Sequence, residues 1–229
     1  VVLLILTPAA YASTEEYRYK NLYECSDWAR KDIDKALDLG IARSPYGGDY
    51  RAPITRGDFA DNAAFLVALE FDVDLYEYFK IADFRLQQET GEITDFNVAN
   101  QLGILQGRGE GDLDEASLIT RQEAAVMLAR TYRIYGGLEP KPIEPLSFAD
   151  HGDIADWAWD DVQLMSQLGV MTGDETNCFD PLGSYTAEQC FVTLVLLHEN
   201  APAGHVSLDT PRSKSPRGKV IASVWNGSR

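Results

Sequence analysis

Only three of the 229 residues are cysteine and three are histidine, and that shortage removes whole classes of chemistry. Cys25, Cys178 and Cys190 leave at least one thiol unpaired, so they form no disulfide framework, and no C-x-x-C or Cys/His spacing suggests zinc. A bridge between Cys178, in a loop, and Cys190, early in a helical stretch, is conceivable; isolated thiols are the expectation. His151, His198 and His205 show neither nucleophile–base nor metal-ligand spacing, and His198 reads as a favourable charge at a helix C-terminus. Asp150, Asp153, Asp156, Asp160 and Asp161 crowd together without the order of an EF-hand loop, and read as acids at a helix start. The run Gly107-Arg108-Gly109-Glu110-Gly111 lacks the lysine and the preceding strand of a phosphate loop. The expectation is therefore no metal, no cofactor and no enzyme.

Basic residues are also scarce, at 20 Lys and Arg against 36 Asp and Glu, a net charge of −16. The last twenty residues hold Arg212, Lys214, Arg217, Lys219 and Arg229 with no acid, so the residues before them carry −16 less +5, or −21. Such a body repels nucleic acid and anionic lipid, which excludes them as partners. It would repel an anionic polymer too, unless local cations outweigh a field that salt screens beyond roughly 8 Å. Long apolar runs are missing apart from residues 1–12, VVLLILTPAAYA, which are too short to span a bilayer. Ending in Ala10-Tyr11-Ala12, they read as the remnant of a secretory signal, with a buried strand or helix as the alternative; an exported chain beginning near Ser13 is expected.

What the chain does contain is repetition. Ile54-Thr55-Arg56-Gly57-Asp58 returns as Ile119-Thr120-Arg121-Gln122-Glu123 and, blurred, as Tyr185-Thr186-Ala187-Glu188-Gln189, with the threonines 65 and 66 residues apart. Leu39-Gly40-Ile41, Leu102-Gly103-Ile104 and Leu168-Gly169-Val170 keep step, their glycines 63 and 66 residues apart. One unit copied three times, each copy burying its apolar face against its neighbours, is the reading. Thr55, Thr120 and Thr186 stand three residues before Asp58, Glu123 and Gln189, the spacing of a capping box at a helix start. Apolar residues then recur at helical spacing: Phe59, Ala63, Leu66 and Val67, then Val126, Met127, Leu128 and Tyr132, then almost everything in 191–197.

A shorter helix should precede each glycine, over residues 28–39, 94–102 and 157–168, with Gly40, Gly103 and Gly169 ending it in a left-handed conformation. Loops rich in Gly, Asp, Tyr and Pro follow at 46–53, 107–117 and 173–184. Residues 71–85 join the first two copies and look packed, while the prolines of 138–145 make a stiff linker into the third. The domain plan is a signal remnant at 1–12, an extension at 13–22, copies at 23–80, 81–139 and 140–200, and a basic disordered tail at 201–229.

Tryptophan, Leu-Gly-Ile, Tyr50-Arg51-Ala52-Pro53 or Phe179-Asp180-Pro181, and then Ile-Thr-Arg-x-acid, in that order, resemble the S-layer homology family of bacterial cell-surface proteins. Phe148-Ala149-Asp150 followed by Trp157 is similar to the opening of that repeat, and the likeness covers about residues 23–200. The resemblance implies an all-α fold, three helix-loop-helix pseudo-repeats forming a three-pronged spindle around a central three-helix bundle. It also implies noncovalent anchoring, with the repeats docking onto secondary cell-wall polysaccharide, often pyruvylated, in grooves between neighbours. Carried over, Arg56 and Arg121 would meet the ligand's carboxylate beside Thr55 and Thr120, while Trp28, Trp157 and the glycines Gly40, Gly103 and Gly169 would frame the sugar.

The residues suit that role on their own terms. An arginine fork grips a carboxylate bidentately, and one residue past a helix cap it stands where unpaired N–H groups and the helix dipole favour an anion. The plainer alternative for each arginine is a surface salt bridge, and for each tryptophan a ring packed between the two helices of its copy. Ala187 stands where the third arginine belongs, and the second copy lacks the tryptophan and the aromatic-x-proline, so fewer than three competent grooves are expected. A protein–protein interaction module that kept the spindle and lost glycan affinity is the alternative function.

Overall fold

A computed structural model describes residues 24–41, 49–71, 95–108, 112–134, 136 and 147–200. The expected signal remnant, extension, proline linker and basic tail, with most of 71–85, lie outside the described residues. The elements are α1 (Arg30–Leu39), α2 (Arg56–Phe71), α3 (Asp95–Gln101), α4 (Arg121–Ile134), α5 (Asp156–Gln167) and α6 (Ala187–Glu199), with a 3-10 turn at His151–Asp153. No strand occurs among the described residues, only isolated bridges, so the all-α expectation holds.

Each repeated phrase starts a helix as its threonine predicts. Thr186 accepts from Gln189 N–H while the Gln189 side chain accepts from Thr186 N–H, a complete capping box. Thr55 accepts from Asp58 N–H at 3.1 Å, and the Glu123 carboxylate accepts from Thr120 N–H at 3.0 Å. Removing such a cap costs about 1 kcal/mol.

The three glycines have φ of +74°, +76° and +69°, the left-handed region. Each Leu-Gly-Ile/Val mark is a Schellman close: Ile41 N–H donates to Ala36 O, Ile104 N–H to Ala99 O and Val170 N–H to Met165 O, all at 2.9–3.0 Å. Nothing lies within 4 Å of a Cβ built on any of the three, so conformation rather than space demands glycine. Gly169→Ala is expected to lower stability by about 1–2 kcal/mol in a urea titration.

The phrase helices α2, α4 and α6 pack pairwise on one another. Phe59, Leu66, Leu128 and Leu194 are fully buried there, each worth about 1.5–3 kcal/mol of burial. At one end of this bundle the residues preceding the cap threonines form a closed ring. Ile54 N–H donates to Tyr185 O (2.9 Å), Tyr185 N–H to Ile119 O (3.2 Å) and Ile119 N–H to Ile54 O (3.1 Å). A linear array of repeats cannot close in this way; the three bonds join the three phrases in a ring.

The short helices do not stay with their own copy. Helix α3 rests on α2, α5 on α4, and α1 on α6. The packing unit therefore pairs the second helix of one copy with the first helix of the next. The contact of α1 with α6 joins the first and last described helices and shuts the circle, helped by the ion pair Lys35–Glu199.

Candidate functional site

Two grooves lie between the copies, each holding one of the repeated arginines and one of the tryptophans. The first, of about 400 Å³, is lined by Arg56, Gly107, Arg108, Glu123, Arg130 and Trp157 among others. The second, of about 770 Å³, is lined by Arg121, Gly169, Asp174, Glu175, Phe179, Asp180, Tyr185 and Trp28 among others. Trp28 and Trp157 are 56% and 60% exposed, which overturns the expectation of rings packed between helices. The physical reason is that each ring stands at the outer start of its short helix, where Ala29 and Ala158 turn inward instead.

The two arginines are held differently. Arg56 is 3% exposed: Nη1 donates to Glu123 Oε1 at 2.8 Å, Nη2 to Gln106 O at 3.0 Å and Nε to Leu113 O. Its ion pair is thus buried rather than a surface bridge, and Arg56 forms the floor of the first groove. Burial lowers its pKa, and Glu123 partly offsets that. Arg121 instead spans the rings of Phe179 and Tyr185, 5.1 and 5.9 Å from their centroids, and donates from Nη2 to Thr172 O at 2.7 Å.

Glu123 is the hub of the first groove. Its Oε1 accepts from Arg56 and from Arg108 Nε (3.0 Å), and its Oε2 accepts from the N–H and hydroxyl of Thr120. Burial pushes its pKa up, but the Thr120 and Arg108 hydrogen bonds and the Arg56 charge outweigh it and hold the carboxyl below the ordinary glutamate value. Arg108 is half-exposed and also pairs with Asp114, and its hydrogen bond to Glu123 raises its pKa. Arg130 donates to Ile104 O (3.1 Å) and to Gln106 Oε1 (2.9 Å).

The expectation of unpaired N–H groups beside each arginine is corrected. Arg56 and Gly57 N–H donate to Ser117 and Glu115 O, Arg121 and Gln122 N–H to Gly183 and Pro181 O, and Ala187 and Glu188 N–H to Ala52 and Tyr50 O. The loop of the next copy caps each helix, so these donors hold the ring together and are not open to an anion. Any anion must be met by side chains.

Ala187, where the third arginine would stand, is fully buried. By the cyclic order its groove would face the tryptophan position of the second copy. Counting twelve residues back from the helix-ending glycine, as Trp28 stands to Gly40 and Trp157 to Gly169, gives Gly91, which lies outside the described residues. By sequence register, the copy that lacks the tryptophan is the one whose counterpart would pair with Ala187.

Of the residues singled out from sequence, Gly169 lines the second groove, while Gly40 and Gly103 close helices; Thr55 caps its helix, and Thr120 donates from its N–H and hydroxyl to the Glu123 carboxylate. The sequence reading passed over Arg108 and Arg130. Glu123, Met127 and Arg130 recur at helical spacing along α4, a stripe with charge at both ends that could have been recognised. Cys178 and Cys190 are free thiols, and burial raises the Cys190 pKa well above the ordinary value. His198 pairs with Glu70 across the interface of α6 and α2. Asp150 accepts from Phe179 and Asp180 N–H at 2.7 Å each, a loop clamp rather than a helix decoration.

A family model, the S-layer homology domain, matches residues 147–183. The chain is 31% identical over 103 residues to an amylopullulanase of Thermoanaerobacterium thermosulfurigenes, covering 44% of the chain and 6% of that protein. It is 28% identical over 132 residues to exoglucanase XynX of Acetivibrio thermocellus, covering 53% and 12%. An endoglucanase of Bacillus sp. strain KSM-635 is 24% identical over 221 residues, covering 94% and 23%. The chain spans less than a quarter of the length of each of these relatives.

Proposed function

From the premise that this chain carries an S-layer homology domain and belongs to that family, a family of cell-surface association, we propose that it anchors its bearer noncovalently to secondary cell-wall polysaccharide. The observation that carries the proposal is the twice-repeated pairing of an exposed tryptophan with an arginine from a different copy. A sugar's C–H face packs on the ring while the cations meet its acidic substituents. Export to the surface follows from the same reading. The chain works as a binding module without chemistry of its own, and the hydrolase names belong to proteins of which it spans a small part.

The two grooves carry the binding, and they divide it. The first sets Arg56, Arg108 and Arg130 against Glu123, so its local charge opposes the acidic body and suits a sugar acid or a pyruvate ketal. Half-exposed Arg108 makes the grip above the buried Arg56. The second groove sets Arg121 against Asp174, Glu175 and Asp180, and suits an uncharged sugar resting on Trp28.

Co-sedimentation with purified sacculi tests this. Arg108→Ala is expected to weaken retention about 10-fold and to flatten its salt dependence, since a charge-assisted bond contributes roughly 1.5–3 kcal/mol. Trp28→Ala with Trp157→Ala should weaken it on the order of 10- to 100-fold. Unchanged retention of both folded variants would reject the grooves as the binding sites.

A further inference from the structure

The residue after the motif arginine has a role of its own. This position is Gly57, Gln122 and Glu188 in the three copies. Gln122 Oε1 accepts from Ala155 N–H at 3.0 Å, and Ala155 lies two residues before Trp157. Glu188 accepts from Ser26 N–H at 2.9 Å and from the Ser26 hydroxyl at 3.0 Å, and Ser26 lies two residues before Trp28. Both clamps are largely buried, at 5% and 6% exposure, and each fixes the backbone at the start of the short helix packed on its own helix. Gly57 has no side chain to offer, and its first-turn N–H donates to Glu115 O.

We propose that Gln122 and Glu188 are positioning residues that set the two tryptophan platforms, Gln122 for Trp157 and Glu188 for Trp28. The inference rests on the groove reading given above. Its strength is the agreement of three independent positions around the ring. Where the clamp is an amide or a carboxylate, a tryptophan follows two residues after the clamped N–H and an arginine from the preceding copy faces it. Where the clamp is glycine, the tryptophan is absent and the facing residue is Ala187. Clamp, platform and arginine are present together or missing together. Helix α3 rests on α2, and the residues before Asp95 lie outside the described residues, so the comparison at the third position is one of sequence alone.

The arrangement also ties the grooves to each other. Arg121 lines the second groove, and its neighbour Gln122 sets the platform of the first. Adjacent residues of one phrase thus serve two different sites. The clamp chemistry is acceptance alone: either an amide oxygen or a carboxylate receives the N–H, so glutamate and glutamine should interchange.

Double-mutant cycles on purified sacculi test the proposal. Gln122→Ala is expected to weaken retention about five-fold, the loss of one buried hydrogen bond, and to have no further effect in a Trp157→Ala background. Glu188→Ala should behave likewise against Trp28→Ala, while Gln122→Glu and Glu188→Gln should retain wild-type affinity. Equal losses with and without the tryptophan would overturn the positioning role and leave the clamps purely structural. If the tryptophan variants bind as wild type, the groove reading itself fails, a distinct outcome. Thermal unfolding of each variant, followed by circular dichroism, identifies any loss due to unfolding.

Discussion

Glu123→Ala is expected to cost about 3–5 kcal/mol of folding stability. Removing the carboxylate leaves the Arg56 guanidinium 3% exposed with its charge unbalanced, and strips the cap from Thr120 at the start of α4. For an ordered body of this size the fall in Tm is on the order of 10 °C. Glu123→Gln should fall between, since an amide oxygen can still receive the Thr120 N–H but no longer balances the arginine. The same carboxylate sets a pH dependence. Its pKa is lower folded than unfolded, so its contribution is fully present above the ordinary glutamate value and is lost as pH falls through the depressed folded value. Urea titrations at neutral pH and at a pH below the ordinary glutamate value should therefore show the gap between wild type and Glu123→Ala narrowing as the solution is acidified through that range. A gap that stays constant or widens would mean that Arg56 does not depend on this carboxylate.

Ile33→Ala is expected to cost about 2–5 kcal/mol and to do so across the entire molecule. Ile33 is fully buried on α1, beside Ala29 and Ala36, where α1 meets α6, the last described helix. Because that contact closes a ring and the backbone bonds among Ile54, Ile119 and Tyr185 close another, the cavity weakens a single cooperative unit. Circular dichroism and tryptophan fluorescence should shift together in denaturant with an unchanged slope. If α1 were a loosely attached end, the variant would show an early, separate fluorescence transition and an unmoved main one.

Much of this architecture was legible because local rules carried it. Threonine three residues before an acid or amide, and leucine-glycine-isoleucine, are backbone devices that act within one turn, so Thr186, Gly40, Gly103 and Gly169 took the conformations their spacing implied. The exchange of short helices between copies was not legible, since the same apolar stripe on α1 would suit either α2 or α6 and only closure of the ring decides. The site shows the same division. Arg56 and Arg121 were identifiable by repetition, yet nothing local distinguishes an arginine floored under Glu123 from one laid across Phe179 and Tyr185. Arg108 belongs to a loop whose place opposite α4 is set by tertiary packing. Trp28 and Trp157 could equally frame a sugar or pack between helices by sequence, and their exposure is decided by how each short helix docks on a helix of another copy.

The account stands or falls on recognition of the wall polymer. The most direct measurement is retention of the wild-type protein on sacculi before and after chemical removal of the secondary polysaccharide, with refolding and monodispersity checked beforehand. Retention on intact walls that disappears with the polymer, and that the released polymer competes away, is the predicted result. Equal retention on stripped walls, or no retention on intact ones by a folded protein, would contradict it and turn attention to a protein partner.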